Sequence, residues 1–218
     1  GYDSAGIAVA DTDAKQTKVY KCAGRVKDLR TICESEKIIT ECGIGHTRWA
    51  THGGVNDTNA HPHQVGKVTL VHNGIIENYR ELIADYELES VLKSETDSEV
   101  VAALLNKFYT GDPDEAIKKT VSKLKGTFAL VILFEDHQGE IYSTRNVSPI
   151  VATFCKEGAM LASDLTALCR FTNRYFVVPE YHILKLTKDA VSLKDFNGNS
   201  VEPDYLEVDW ELNNAGKN

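Results

Sequence analysis

Residues 45–74 read GHTRWATHGGVNDTNAHPHQVGKVTLVHNG, and the rest of the chain is organised around them. An apolar lead-in, Cys42-Gly-Ile-Gly45, predicts a strand that ends on His46, Thr47, Arg48 and Trp49. The β-rich run Lys67 to Val71 predicts a second strand that delivers His72, Asn73 and Gly74. Two strand ends then present polar groups to one place. Between them lies a loop of roughly twenty residues, and structureless loops that long inside a compact domain are usually functional or disordered. Its histidines and Trp49 argue against solvated disorder.

The residue types suit a site that binds a small zwitterion and stabilises an oxyanion. Arg48 offers a planar fork of donors matched to a carboxylate. Asn73 and Gly74 combine a side-chain amide with a backbone N–H that a residue without Cβ leaves open to close approach. Each also has a plainer explanation. An Asn-Gly pair after a strand is most often a turn, and a lone Arg is most often a solvated surface charge.

Length and charge bound the partners. The 218 residues form one large or two small domains, long enough to bury a full core without staples. With 24 Lys and Arg against 32 Asp and Glu, the net charge of −8 disfavours nucleic acid and anionic membrane as partners. No apolar run approaches a membrane span and no signal peptide is visible, so the expected location is cytoplasmic. The five cysteines, Cys22, Cys33, Cys42, Cys155 and Cys169, are odd in number and widely spaced, which predicts reduced, buried thiols.

Outward from the central stretch, Ser4 to Ala10 and Gln16 to Cys22 pattern as strands around an Asp-rich turn, and Val26 to Glu34 as a short helix. Strands at Ile39 to His46 and Lys67 to His72, a helix from Glu77 to Asp85 and an extended piece from Ser90 to Lys93 follow. Thr96 with Glu99 predicts a capping box, with Val100, Val101, Leu104, Leu105 and Phe108 on one apolar stripe and Asp97 in the first turn. Asp112 and Pro113 open another helix.

From Thr127 to Phe134 an apolar run starts a β-rich half. It continues with Glu140 to Ser143, Ile150 to Phe154, Ala159 to Leu161, Tyr175 to Val178, His182 to Leu186 and Ala190 to Asp195, interrupted by a helix at Leu165 to Cys169. This order argues an α+β fold of antiparallel sheets faced by helices. The tail from Glu202 loses periodicity and reads as a linker, and the abrupt start at Gly1 leads to the expectation that the natural protein continues upstream.

Five motifs, GYDSAGIAV, GHTRWATHG, NAHPH, VHNGIIENY and SETDSEV, in this order and spacing, resemble the glutaminase domains of the glutamine–fructose-6-phosphate aminotransferases (isomerizing). The glutaminase domains of amidophosphoribosyltransferase and asparagine synthetase are similar in the Asn-Gly and acidic-helix motifs. They are expected to differ at Tyr2, at Trp49 to His52 and at His61 to His63. The resemblance implies the N-terminal-nucleophile hydrolase fold, an αββα sandwich, here lacking its first strand region. It divides the chain into a glutaminase domain over 1–208 and, at 209–218, the start of a linker to a sugar isomerase domain.

By the same resemblance Arg48 binds the α-carboxylate of glutamine, helped by Thr51 and the backbone near His52 on a loop that closes over the substrate. Asp97 pairs with the α-ammonium, Asn73 and Gly74 form the oxyanion hole, and Trp49 gates ammonia toward a second active site. No cofactor is implied, and the full-length protein is expected to be a homo-oligomer. For Asp97 the plain alternative is a first-turn acid beside the helix dipole.

One departure stands out. The family's nucleophile is a cysteine at the mature N-terminus whose α-amine acts as base, upstream of the motif that begins at Gly1, so the chain as written is expected to be inactive. Cys42-Gly-Ile superficially resembles that opening, but an internal cysteine has no free α-amine and reads as a strand thiol. His46, His52, His61, His63 and His72 lack accompanying acids at a ligand interval, which argues against a metal, and Gly53-Gly54 lacks the Lys of a phosphate loop. Two function classes follow: the glutamine-hydrolysing half of an amidotransferase, or a module that binds glutamine without hydrolysing it.

Overall fold

The structure, a computed structural model, describes residues 3–50 and 53–210. In chain order it forms β1 (Ser4–Asp11), β2 (Gln16–Ala23), α1 (Val26–Glu36), β3 (Gly43–Arg48), β4 (His63–Val65), β5 (Val68–Ile76), α2 (Tyr79–Asp85), α3 (Asp97–Phe108) and α4 (Pro113–Val121). The β-rich half comprises β6 (Gly126–Phe134), β7 (Ile141–Asn146), β8 (Val151–Cys155), β9 (Gly158–Ala162), β10 (Arg174–Val177), β11 (His182–Leu186), β12 (Val191–Asp195) and β13 (Leu206–Glu207). Most of these elements fall within a few residues of the pattern-based expectation.

A six-stranded antiparallel sheet, ordered β12-β11-β7-β6-β5-β4, lies at the centre. Strand β6 shows why its sequence is apolar without a break. Side chains alternate across a strand, so Phe128, Leu130, Ile132 and Phe134 pack with the helices α2, α3 and α4. Ala129, Val131 and Leu133 meet the opposite layer. Both faces are buried, and no polar face is left to show alternation.

The opposite layer consists of two smaller sheets, β2-β1-β3 and β13-β10-β8-β9. Ala8 and Ile44 pack on Val71, Val131 and Leu133, and Ile150, Ala152, Phe176 and Val178 pack on Ala129, Leu184 and Leu186. Helix α1 covers β1 and β2 through Leu29, Ala5 and Cys22. The layering is therefore helix, sheet, sheet, helix.

Several expectations need correction. Strand β3 begins at Gly43, not Ile39, which is 96% exposed. The stretch Ser90 to Lys93 is not extended; Glu89–Val91 form a 3-10 turn. The helix placed at Leu165 to Cys169 is a 3-10 turn over Leu165–Ala167. Strand β4, too short to show periodicity, pairs with β5 across the Gly66-Lys67 turn inside what read as loop. Of the cysteines, all free, Cys22 is buried whereas Cys169 is exposed.

Two ends also differ. Half the expected capping box forms: the Thr96 hydroxyl accepts from the Glu99 N–H at 3.2 Å. The Glu99 carboxylate reaches past it to the Lys93 and Ser94 N–H groups, at 2.7 and 2.8 Å. In the tail, β13 pairs with β10 and Trp210 Nε1–H donates to the Thr172 carbonyl at 3.1 Å, so the chain through Trp210 is docked on the domain.

Candidate active site

Alternation along β3 sets Ile44, His46 and Arg48 on the same face of the strand, and all three line one cavity of about 980 Å3 between the sheets. Val71 and Asn73 of β5 line it as well. Contrary to expectation, the Asn-Gly pair is not at a strand end. Asn73 opposes Ala129 and Gly74 opposes Phe128 within a ladder that continues to Ile76. Gly74 has φ +126°, and a Cβ there would lie 2.2 Å from the Thr127 carbonyl oxygen, so the local path of β5 itself demands glycine.

Arg48 is 4% exposed, and its Nη1 donates to the Gly54 carbonyl at 3.0 Å. Burial pulls the guanidinium pKa down, opposed by the charges of Asp3, Asp97 and Glu95. Asp97, also 4% exposed, opens α3 beside this wall, and its Oδ2 accepts from the Ile76 N–H at 2.8 Å. Arg48, Asp97, Asn73 and Gly74 thus share a single cavity. Trp49 stands at its rim, 73% exposed. Thr51 and His52 lie outside the described residues.

The far half of the loop is clamped. Lys21 Nζ donates to the carbonyls of Thr58, Ala60 and Pro62 at 3.3, 2.8 and 3.0 Å. Asn59, 1% exposed, donates through Nδ2 to the Gly54 carbonyl and to Glu95 Oε2, each at 2.9 Å. The Glu95 N–H returns a bond to Asn59 Oδ1 at 2.9 Å. The same Gly54 carbonyl receives Arg48, so the clamp also orients the guanidinium.

The family model of the glutamine amidotransferase domain matches residues 46–170. The chain belongs to the glutamine amidotransferase domain family. It is 41% identical over 220 residues to glutamine–fructose-6-phosphate aminotransferase (isomerizing) of Thermus thermophilus, a match covering all of this chain and 36% of that protein. A protein of the same name from Staphylococcus aureus is also 41% identical, over 221 residues, with the same shares covered. The chain spans about a third of the length of these curated relatives. Among solved structures, glutamine phosphoribosylpyrophosphate amidotransferase from B. subtilis superposes with a TM-score of 0.75 at 23% identity, over 92% of this chain and 44% of that one. That likeness supports the fold, the αββα sandwich of N-terminal-nucleophile hydrolases.

Sequence reasoning missed several residues of this amidotransferase domain. His46 lies 2.8 Å from Asn73 Oδ1 and stacks on His61 with ring centroids 4.1 Å apart. His61 Nδ1 accepts from the His72 N–H at 3.3 Å, His63 Nε2 is 2.9 Å from the Thr96 hydroxyl, and His72 Nδ1 is 2.9 Å from the Ser98 hydroxyl. The histidines tie β3, β4, β5 and the start of α3 together. Period two from Ile44 could have put His46 beside Arg48, but nothing local could have paired it with Asn73. Among the described residues no group of three or more His, Cys, Asp or Glu could hold a metal ion, and no helix is long and apolar enough to cross a membrane.

These rings make the amidotransferase domain sensitive to acid. Burial lowers the His46 pKa to about 4 and the His63 pKa to about 3, and holds His61 well below the ordinary range. The folded pKa values lie below the unfolded one of about 6.5, so the fold favours the neutral rings. Their contribution to stability is full above about pH 6.5 and is lost as pH falls toward 4, at up to about 1.4 kcal/mol per pH unit per ring. Urea midpoints measured from pH 7.5 to 5 should drop steadily below 6.5, before carboxylates titrate. A flat profile over that range would contradict the buried neutral cluster.

Proposed function

We propose that this domain binds glutamine and hydrolyses its side-chain amide, releasing ammonia that the full-length protein uses to convert fructose 6-phosphate to glucosamine 6-phosphate. The observation that carries the reading is the convergence of Arg48, Asp97, Asn73 and Gly74 on one cavity wall. A buried guanidinium suits the α-carboxylate, the Asp97 carboxylate suits the α-ammonium, and Asn73 with the Gly74 backbone suits the oxyanion that forms as the amide is attacked. The motif resemblance assigns Thr51 and the backbone near His52, outside the described residues, to the carboxylate as well, and Trp49 at the rim gates the departing ammonia.

The nucleophile in this reading is the thiolate of an N-terminal cysteine on a segment preceding Gly1, with its own α-amine as base. Sulfur attacks the amide carbon, the tetrahedral oxyanion collapses with loss of ammonia, and water then releases glutamate from the thioester. A linker starting at about residue 209 and leading to a sugar isomerase domain, a homo-oligomeric assembly and a cytoplasmic location, in keeping with free thiols, belong to the same proposal.

Asp97 separates binding from structure. Asn at this position keeps an oxygen for the Ile76 N–H and loses only charge, so the helix-dipole cost stays within about 1 kcal/mol. A charge-assisted bond to the substrate ammonium contributes about 1.5–3 kcal/mol, or roughly ten- to a hundredfold in affinity. In the full-length protein Asp97→Asn should therefore weaken glutamine at least about tenfold while the melting temperature moves by a few degrees. Normal binding by a variant that melts far lower would reduce Asp97 to a residue that caps β5 and α3.

A further inference from the structure

We infer that His46 is a positioning residue for the oxyanion hole: its ring Nε2–H fixes the Asn73 amide so that Oδ1 faces β3 and the Nδ2 hydrogens face the cavity. The inference rests on the reading of Asn73 as an oxyanion donor. An asparagine amide can present either end to a neighbour, and the two ends are nearly alike in shape. Only one end serves an oxyanion hole, because an oxygen turned toward developing negative charge would raise the barrier. Something must therefore hold the amide one way round.

The surroundings of His46 choose the orientation. Nε2 lies 2.8 Å from Asn73 Oδ1, while the buried Nδ1 makes no well-formed hydrogen bond among the described residues, the His72 backbone being the other polar group that acts on the ring. A neutral imidazole carries one proton. Were it on Nδ1, a buried N–H would lack a well-formed acceptor, the rarer and more costly defect, and the bare Nε2 would call for the Asn73 NH2 group, turning Oδ1 into the cavity. With the proton on Nε2, the orphan is only a lone pair, and the amide hydrogens point outward. Burial keeps the ring neutral, which preserves this single-donor state. The ring plane is set by stacking on His61 at an interplanar angle of 14°, and the His72 N–H in turn holds His61. Gly6 makes room for this stack, since a Cβ there would lie 1.9 Å from the His61 carbonyl oxygen.

Glutamine hydrolysis by the full-length protein tests the inference through three variants. His46→Leu, which removes the donor, should lower kcat about tenfold or more with KM within about twofold, because the interaction acts on the transition state. His46→Gln extends an N–H to about the reach of Nε2 and should recover most of the loss. His46→Asn, whose N–H stops near Nδ1, should not. Combined with Asn73→Ala, His46→Leu should add less than about twofold, as coupled residues do. Equal rates for the Gln and Asn variants overturn the inference even if His46→Leu fails to fold, and so does full additivity with Asn73→Ala. A parent protein that does not hydrolyse glutamine overturns the glutaminase reading and this inference with it; an active parent with silent His46 variants overturns this inference alone.

Discussion

With the proposed nucleophile supplied by a separate N-terminal segment, residues 1–218 on their own should release ammonia from glutamine about 10⁶-fold more slowly than the full-length protein, the usual effect of removing a covalent nucleophile. None of the cavity-lining residues described is a cysteine. Cys42 packs beside Ala8 and Ile44, and burial pushes its thiol pKa up, as it does for Cys22 and Cys33. Raised thiols are poor nucleophiles, and an internal residue offers no α-amine as base. Cys155 Sγ lies 3.4 Å from the Glu157 carboxylate, and Cys169 is exposed and away from the cavity lining.

Two substitutions in the full-length protein complete the test. Serine in place of the N-terminal cysteine should abolish most turnover, whereas Cys42→Ala should leave it unchanged. Enzyme-like ammonia release by residues 1–218, or collapse of activity in Cys42→Ala, would move the nucleophile into this chain. A full-length protein that binds glutamine and never releases ammonia would instead favour the binding module.

Asn73→Ala in the full-length protein should lower kcat by about 10²–10³ with little change in KM, since an oxyanion donor strengthens its bond only as charge develops. The structure removes the simplest objection, that Asn73 only shapes a turn. The chain does not turn there: Asn73 sits mid-strand opposite Ala129 and bonds His46. Alanine in a strand changes stability by at most about 1 kcal/mol and the loss of the His46 partner costs about 1–3 kcal/mol more, so turnover compared at a temperature where both proteins are folded isolates the chemical role. Turnover equal to the parent's would assign the Asn73 amide to the β3–β5 contact alone. Gly74 offers no equivalent test, because any Cβ meets the Thr127 carbonyl.

The wall residues Arg48, Asn73, Gly74 and Asp97 were singled out by residue type together with the motif resemblance, whereas the sequence by itself determined the α+β class, the capped helices after Thr96 and Asp112 and most of the strands. Those features are local: periodicity, caps and composition depend on neighbours a few residues away. Only the tertiary structure decided that Asn73-Gly74 continues a strand, because the ladder with β6 runs on to Ile76 and overrides the local preference of Asn-Gly for a turn. It also decided the partners of His46 with Asn73, of Lys21 with Ala60 and of Gly54 with Glu95, which lie 27, 39 and 41 residues apart in the chain. Which donor meets which acceptor over such separations follows from how the layers pack, since every buried polar group must find its partner wherever the fold brings one.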